Sequence, residues 1–423
     1  MLPVRRPVFG AVVASGLLLA LAACSNSGSS NASNSAASSP ATGAAAGSGT
    51  AGSGTGTGSG TQGASVGGAG AKAVNVTITA AQGCVPDATE LAAGGVTFNV
   101  TNQDATGVSE IEVLDGQRIV GEKENLAPGL SGNFSITATS GSYVLYCPGA
   151  AAEKTNLTVT GEASAPADQD VAALLAEGTK GYAGYVKTQA GYLVNGVAAL
   201  QAAIKTGDLA KAQAAYAAAR PFYEKIEPVA ESFLLGTQNL DADIDARAGD
   251  VPAAQWRGFH VIEQGLFQKK SVAGLAPVAA LLTTNVTKLQ TLVATQTYQA
   301  TDLANGAADL LDEAATGKMT GEEERYSHID IVDLAANIEG AEQAFAQLRP
   351  ALDTIVPDLS TQVAGAFTAL DSVIDTYRST DAANGNFVLF SKLSSADTKA
   401  LAAGIAAVQE PLSQVGAKVA SAS

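Results

Sequence analysis

The chain has 423 residues and carries 24 Lys and Arg against 40 Asp and Glu, a formal charge of −16. Its length predicts more than one folded unit. An acidic chain without a basic patch argues against nucleic acid as a partner and favours cations as ligands. Because the chain has two histidines and three cysteines, one copy cannot build a metal site that needs three histidines or four cysteines.

The N-terminal segment is predicted to be an export signal. Arg5 and Arg6 precede an apolar run over residues 8–21, which is short for a membrane-spanning helix of about 20 residues. Small residues then lead to Cys24, a pattern that resembles a bacterial lipobox. We therefore expect a lipoprotein signal peptide over 1–23 and lipidation of Cys24, with an ordinary signal cleaved nearby as the alternative.

Residues 24–71 are almost entirely small and polar and carry no charge. Such a segment cannot bury a core, and it predicts a disordered tether. Together with the lipid anchor, it places the folded part on the outer face of the bacterial cytoplasmic membrane. The expected location is thus the cell envelope or periplasmic space.

Residues 72–161 show the alternation of apolar and polar residues that is typical of strands. The predicted strands are 74–79, 96–101, 110–114, 134–138, 143–146 and 157–159. Several short strands separated by turn residues predict a small all-β sandwich.

Cys84 and Cys147 lie in this β segment, and two interpretations stay open. In an exported protein they can form a disulfide, or they can bind a metal with carboxylates such as Glu110, Glu112 or Glu122. The order of the strands is similar to that of a cupredoxin. The segment contains no histidine, so an ordinary blue-copper centre, which needs two histidines and a cysteine, is excluded.

Beyond a short linker, residues 168–423 show apolar residues at helical spacing. The predicted helices are 170–205, 208–234, 252–268, 276–298, 300–316, 324–348, 351–378 and 395–420. About eight helices in such a length predict an all-α domain of two packed bundles.

Two segments of this helical part place metal-ligating residues on one face. Glu224, Glu227 and Glu231 follow an i, i+3, i+7 spacing, where like charges repel unless a cation bridges them. His260 and Glu263 are one turn apart and could ligate a single metal. The alternatives are a solvated acidic face for the glutamates and a hydrogen-bonded core histidine for His260.

A third segment, residues 321–333, contains three consecutive glutamates, Glu322 to Glu324. We expect them in the first turn of a helix, where the helix dipole favours negative charge. On a regular helix His328 would point away from the stripe that contains Asp330 and Asp333.

The three segments, in this order after a β domain with two cysteines, resemble the EfeO/EfeM family of iron-uptake lipoproteins. The residues that carry the resemblance are R-P-x-Y-E-x-I-E-P-V-A-E-S-F, H-x-I-E-x-G-L-F and G-E-E-x-R-Y-S-H-x-D. The resemblance implies a cupredoxin-like all-β domain followed by an imelysin-like all-α domain of two four-helix bundles. It also implies capture of Fe(II) or Fe(III) outside the cytoplasm, with a membrane iron permease and a haem-containing peroxidase as partners.

Carried over residue by residue, the resemblance implies a set of metal ligands in the helical domain. They are Glu224, Glu227, Asp241, His260, Glu263 and Glu323. For Cys84 and Cys147 it implies copper or a second iron in the β domain, and Glu112 is a candidate carboxylate ligand for that metal. One imidazole with several carboxylates suits iron, manganese or zinc.

Two other classes of function remain as alternatives. The first is an imelysin-like metallopeptidase, because the helical domain is peptidase-related. The H-E-x-x-H motif is absent, and the inverted H-x-x-E-H motif is broken because Gln264 follows Glu263. The second is an acidic cell-surface module without a metal. We predict a binding protein that is not an enzyme.

Overall fold

The computed structural model describes residues 72–163, 168–235 and 238–423. The predicted signal peptide, the lipidation site Cys24 and the tether lie outside the described residues. No helix in the described ranges is both long enough and apolar enough to cross a membrane.

The N-terminal part is a β-sandwich, as predicted. Its strands are β1 (Ala73–Thr79), β2 (Gly83–Pro86), β3 (Glu90–Ala92), β4 (Gly94–Asn102), β5 (Ile111–Asp115), β6 (Arg118–Lys123), β7 (Ser131–Ala138), β8 (Gly141–Tyr146) and β9 (Lys154–Thr160). One sheet has the order β2-β1-β4-β7 and the other the order β3-β9-β8-β5-β6. Along β1 every second residue is buried, because successive side chains of a strand point to opposite faces.

Cys84 lies in β2 of the first sheet and Cys147 directly follows β8 of the second. The two cysteines are joined by a disulfide, which therefore links the two sheets. A disulfide leaves no thiolate to bind a metal. Of the two interpretations that the sequence left open, the structure shows the disulfide, and no thiolate remains for the site for copper or a second iron that the resemblance implied.

The C-terminal part is helical. Its elements are α1 (Gln169–Thr206), α2 (Leu209–Glu224), α3 (Glu227–Glu231), α4 (Asp241–Ile244), α5 (Phe259–Glu263), α6 (Ala276–Val293), α7 (Ala300–Thr316), α8 (Asp330–Ile355), α9 (Pro357–Asp375), α10 (Ser395–Leu412) and α11 (Val415–Ala422). Two antiparallel strands of two residues each, β10 (Leu234–Leu235) and β11 (Gln238–Asn239), lie between α3 and α4. The long helix α1 packs against α2, α6 and α8.

Three predicted helices differ from the structure where they meet the candidate ligands. The helix predicted over 208–234 breaks after Glu224, and a new helix starts at Glu227 with Pro228 in its first turn. The helix predicted from 252 begins at Phe259. The helix predicted from 324 begins at Asp330, so the three consecutive glutamates lie in the preceding turn rather than in a helical turn.

Strand β6 attaches the β-sandwich to the segment that follows α3. The backbone N–H of Ile119 donates to the carbonyl of Ser232 at 3.1 Å, and that of Leu234 donates to Gln117 at 3.0 Å. Ion pairs reinforce the junction, with Arg118 at 2.8 Å from Asp302. The β-sandwich is therefore fixed beside the helical segments that carry the candidate ligands.

Candidate metal centre

A fully buried arginine lies at the centre of the helical part. Arg220, on α2, has no exposed side-chain surface. Five carboxylates surround its guanidinium: Glu224, Asp245, Glu323, Glu324 and Asp333. A buried charge is tolerated only when it is paired. Arg220 can neutralise only part of the charge of these five carboxylates, so the remaining negative charge needs another partner.

Three buried side chains beside Arg220 point ligand atoms at one position. Asp245, His260 and Glu323 each offer one atom, and these atoms all lie within 4.8 Å of one another. His260 Nε2 is 3.3 Å from Glu323 Oε1 and 3.6 Å from Asp245 Oδ1. It has no hydrogen-bond partner although the side chain is buried. A buried nitrogen without a partner is costly, and a metal ion at this position would satisfy it.

Glu263 holds the other nitrogen of the His260 ring. His260 Nδ1 is 3.1 Å from Glu263 Oε2. The second oxygen, Oε1, accepts the backbone N–H groups of Tyr326 at 2.6 Å and Ser327 at 2.8 Å. A carboxylate that accepts Nδ1–H leaves Nε2 as the ligand nitrogen. Glu263 therefore orients His260. The sequence analysis predicted that the two side chains ligate one metal, but in the structure they do not converge on one position.

A second group of buried carboxylates lies next to the first. Glu224, Glu227 and Asp245 also place one oxygen each within 4.8 Å of one another. The ammonium of Lys318 is 3.1 Å from Glu224 Oε2 and 3.2 Å from Glu227 Oε2. Asp245 belongs to both groups, so it connects them.

Local backbone features bring these residues together. The break between α2 and α3 turns Glu224 and Glu227 toward one another, at the end of one helix and the start of the next. Gly258 has φ +90°, and a Cβ there would lie 2.0 Å from the carbonyl oxygen of Ile244. Only glycine allows this close approach, which sets the start of α5, and hence His260, against Asp245.

The charges of the metal-free cluster are strongly perturbed. Burial raises the pKa of Glu224 and of Glu227 well above the usual range, and burial with repulsion from Asp245 raises that of Asp241 to about 7. Burial would lower the pKa of His260, but Asp245 and the neighbouring carboxylates raise it well above its usual value. A metal cation bound here would compete with protons for these carboxylates and for His260.

An acidic cavity of about 300 Å³ borders the cluster. Its wall includes eight carboxylate residues: Glu124, Glu227, Glu231, Asp241, Asp245, Asp250, Glu313 and Glu323. Glu124 comes from the segment after β6, so the cavity lies between the β-sandwich and the helices. A cavity lined by one sign of charge concentrates the opposite ion, which gives a cation a route to the cluster.

Two other predicted residues lie outside both convergent groups. Asp241 lines the cavity and accepts a 2.5 Å hydrogen bond from the hydroxyl of Tyr223. Glu112 is buried in β5 opposite Glu122 of β6, and burial with repulsion from Glu110 raises its pKa to about 8. Glu112 shares no group of three ligand atoms among the described residues. The second histidine, His328, is exposed and precedes the helix that begins at Asp330.

The sequence analysis missed Asp245, Arg220 and Lys318. Asp245 follows Asp241 by four residues, the spacing that puts two side chains on one helical face. This spacing is the feature of the sequence that indicates Asp245 as a candidate beside Asp241. No spacing relates Lys318 to Glu224, because the two are distant in sequence, and only the packing of the turn after α7 against α2 brings them together.

The donor atoms fit iron. One imidazole nitrogen with two or more carboxylates is an intermediate-to-hard set, suited to Fe(II), Fe(III), Mn(II) or Zn(II). Glu263 behind the imidazole supplies the outer support that metal-bound histidines usually have. The cluster therefore has the ligand types, the burial and the orientation of a metal centre.

Comparisons with known proteins show the family of the chain. Residues 178–415 match the imelysin family. The iron uptake system component EfeO of Escherichia coli strain K12 is 37% identical over 347 residues, which cover 81% of this chain and 90% of that protein. The EfeO of Shigella flexneri matches with the same values.

Among solved structures, auracyanin from Roseiflexus castenholzii aligns with 22% of this chain and 99% of its own, at 17% identity and a TM-score of 0.19. The family of this chain follows from its identity to the EfeO proteins over most of their length and from the imelysin match. The chain belongs to the EfeO family of iron uptake system components and consists of a β-sandwich followed by a helical imelysin domain.

Proposed function

We propose that this protein captures iron outside the cytoplasm and passes it to a membrane iron permease. The observation that carries the proposal is the buried, unpartnered His260 Nε2, which faces Asp245 and Glu323. Iron is the cargo here rather than a resident cofactor. Glu224 and Glu227 extend the ligand set toward the acidic cavity, and Glu263 keeps His260 in the binding tautomer.

The proposal includes the predicted location and partners. Lipidation at Cys24 and the tether after it would hold the folded part at the outer face of the membrane, within reach of a permease. A haem-containing peroxidase is the second proposed partner. Membership of an iron uptake system supports the existence of such partners. The convergent groups in the described ranges contain a single histidine, so they do not supply the two histidines of the zinc-protease motifs.

Metal titration of the purified full chain tests this function. We expect tight binding of ferrous iron under anaerobic conditions or of ferric iron supplied as citrate. Zinc, manganese and copper serve as competitors. Tight zinc binding with weak iron binding would favour a metallopeptidase, and no metal binding at all would leave an acidic surface module.

Replacing Glu263 by glutamine is expected to weaken iron binding by about 10- to 100-fold, as for other outer partners of metal ligands. The backbone N–H groups of Tyr326 and Ser327 would hold the amide oxygen, so the amide N–H would face His260 Nδ1. The ring would then carry its proton on Nε2, where the metal must bind. Calorimetric titration measures the effect, and unchanged affinity would show that Glu263 does not set the tautomer.

The matched control for this variant is Glu322→Gln. Glu322 lies in the turn that carries Tyr326 and Ser327, is exposed, and pairs with Arg325 at 2.8 Å. Its replacement removes the same charge without touching His260. We expect its iron affinity to equal that of the wild type.

Iron affinity is expected to rise with pH between about pH 5.5 and about pH 7.5. Burial raises the pKa of Asp241 and of Glu313 to about 7 in the metal-free protein, and His260 also holds a proton. A bound cation displaces these protons, so each displaced proton adds up to about tenfold in affinity per pH unit. Titration with ferrous iron in buffers of different ionisation enthalpy measures the proton release directly.

The stability of the metal-free protein should show the opposite trend. Because the folded pKa values of Asp241 and Glu313 lie above those of the unfolded chain, the folded state binds more protons below pH 7. Its stability therefore falls as pH rises toward about 7. A pH-independent affinity together with a pH-independent stability would contradict the charge distribution described here.

A further inference from the structure

Lys318 places an ammonium group among the carboxylates of the second ligand group. Its side chain has no exposed surface. The Nζ atom lies 3.1 Å from Glu224 Oε2 and 3.2 Å from Glu227 Oε2 and also pairs with Glu313. A lysine is rarely fully buried unless it is paired, and here its partners include two of the candidate iron ligands.

Both oxygens of Glu224 are already held by cations. Arg220 pairs with Oε1 and Lys318 with Oε2. A metal ion that is bound by Glu224 therefore has to take the place of one of these two side chains. Since two cations repel each other at such distances, the metal and the displaced group cannot both remain on the same oxygen.

Lys318 is the cation that can leave. Arg220 is fixed by four further carboxylates around its planar guanidinium. Lys318 has a flexible four-carbon stem, and its third partner, Glu313, lies on the wall of the acidic cavity with 22% of its side chain exposed. Glu313 can therefore retain the ammonium group when Glu224 and Glu227 turn to a metal.

We propose that Lys318 is an internal counter-ion that iron displaces from Glu224 and Glu227 toward Glu313, and that returns to them when iron leaves. This inference rests on the proposed function. In the absence of iron, the ammonium pairs with both buried glutamates. In competition with iron it limits the affinity and speeds release, which a protein that hands its cargo to a partner requires.

A Lys318→Met variant tests the proposal, because methionine replaces most of the side-chain volume without the charge. We expect iron to bind about tenfold or more tightly than to the wild type, and to dissociate more slowly to a chelator in stopped-flow measurements. The Tm of the metal-free variant should fall, because Glu224 and Glu227 lose a buried counter-ion, and iron should raise it by more than it raises that of the wild type.

Lys225→Met is the matched control. Lys225 lies between Glu224 and Glu227 in the sequence, but its ammonium pairs with Glu339 at 2.7 Å rather than with the ligand group. Its replacement removes the same charge from the same neighbourhood. We expect a change in iron affinity much smaller than that of Lys318→Met. Equal changes in the two variants would show that iron affinity depends only on the net charge of this region, which would overturn the displacement proposal.

A Glu313→Gln variant keeps Lys318 and provides a second test if Lys318→Met does not fold. Without its cavity-side partner, Lys318 should stay on Glu224 and Glu227, so iron should bind several-fold more weakly. In the Lys318→Met background the same replacement should have a smaller effect, a coupling that a double-mutant cycle measures. Equal effects in the two backgrounds would contradict the proposal.

The outcomes separate this inference from the proposed function. If wild-type protein binds no iron, the proposed function fails. If wild-type protein binds iron but Lys318→Met binds it with equal or lower affinity, the function stands and the counter-ion role of Lys318 is wrong. Tighter binding with slower release supports both.

Discussion

An Asp245→Asn variant is expected to bind iron at least about 100-fold more weakly than the wild type. Asp245 is the residue that the two convergent groups share, so its loss removes a ligand from both. Outer partners of metal ligands already account for about 10- to 100-fold in affinity, and a ligand shared by two groups should exceed that range. Calorimetric titration with ferrous iron measures the effect, with His260→Ala as the comparison.

The fold should survive the Asp245→Asn replacement. Asparagine has nearly the same shape, and Arg220 keeps four other carboxylate partners. The control is Asp243→Asn, two residues away in α4, whose side chain faces Arg257. We expect that variant to bind iron as the wild type does. Wild-type affinity in Asp245→Asn would exclude the proposed centre.

An Arg220→Met variant is expected to lose about 3–5 kcal/mol of unfolding free energy in the metal-free state, the range for breaking a buried ion pair on one side. The guanidinium neutralises carboxylates from four segments of the helical part, and the side chain is fully buried. Without it these carboxylates must take up protons or repel one another. Urea unfolding of metal-free protein measures the loss.

Lys211→Met on the same helix is the control for Arg220. Lys211 is 77% exposed and pairs with Asp208 at the helix start, so its removal should change stability by less than about 1 kcal/mol. Iron should restore part of the stability lost in Arg220→Met, because it replaces one positive charge among the carboxylates. An Arg220→Met variant as stable as the wild type would show that the carboxylates are not charged in the folded state.

Much of the fold could be predicted because apolar periodicity reflects burial. The alternating residues of β1 and β4 and the helical spacing along α1 lie on buried faces, as expected. The short strands β2 and β3 were missed since four and three residues show no clear alternation. Strand β6 was missed as well, and its role is set by its pairing with β5 and the helical part rather than by its own pattern.

The helix ends near the metal centre were harder to predict. The spacing of Glu224, Glu227 and Glu231 suggested one continuous helix, but the chain breaks between the first two. The turn that holds Glu323 looked like a helix start because it is rich in glutamate. Its shape depends on contacts from elsewhere, with Glu263 accepting the N–H groups of Tyr326 and Ser327.

The candidate site could be predicted in part. The structure brings His260 and Glu323 together in one group and Glu224 and Glu227 in another, and the residue types had indicated a metal centre. The role of each residue was harder to predict, because only the folded geometry shows that Glu263 supports His260. The cations Lys318 and Arg220 were missed because a search for metal ligands does not look for positive charge.

The most direct test of the central claim is anomalous diffraction at the iron absorption edge from crystals loaded with iron. The account predicts a peak bonded to His260 Nε2, with carboxylate oxygens of Asp245 and Glu323 around it. A peak that instead lies in the β-sandwich, or on exposed carboxylates away from His260, would contradict the assignment of the iron site to this buried cluster.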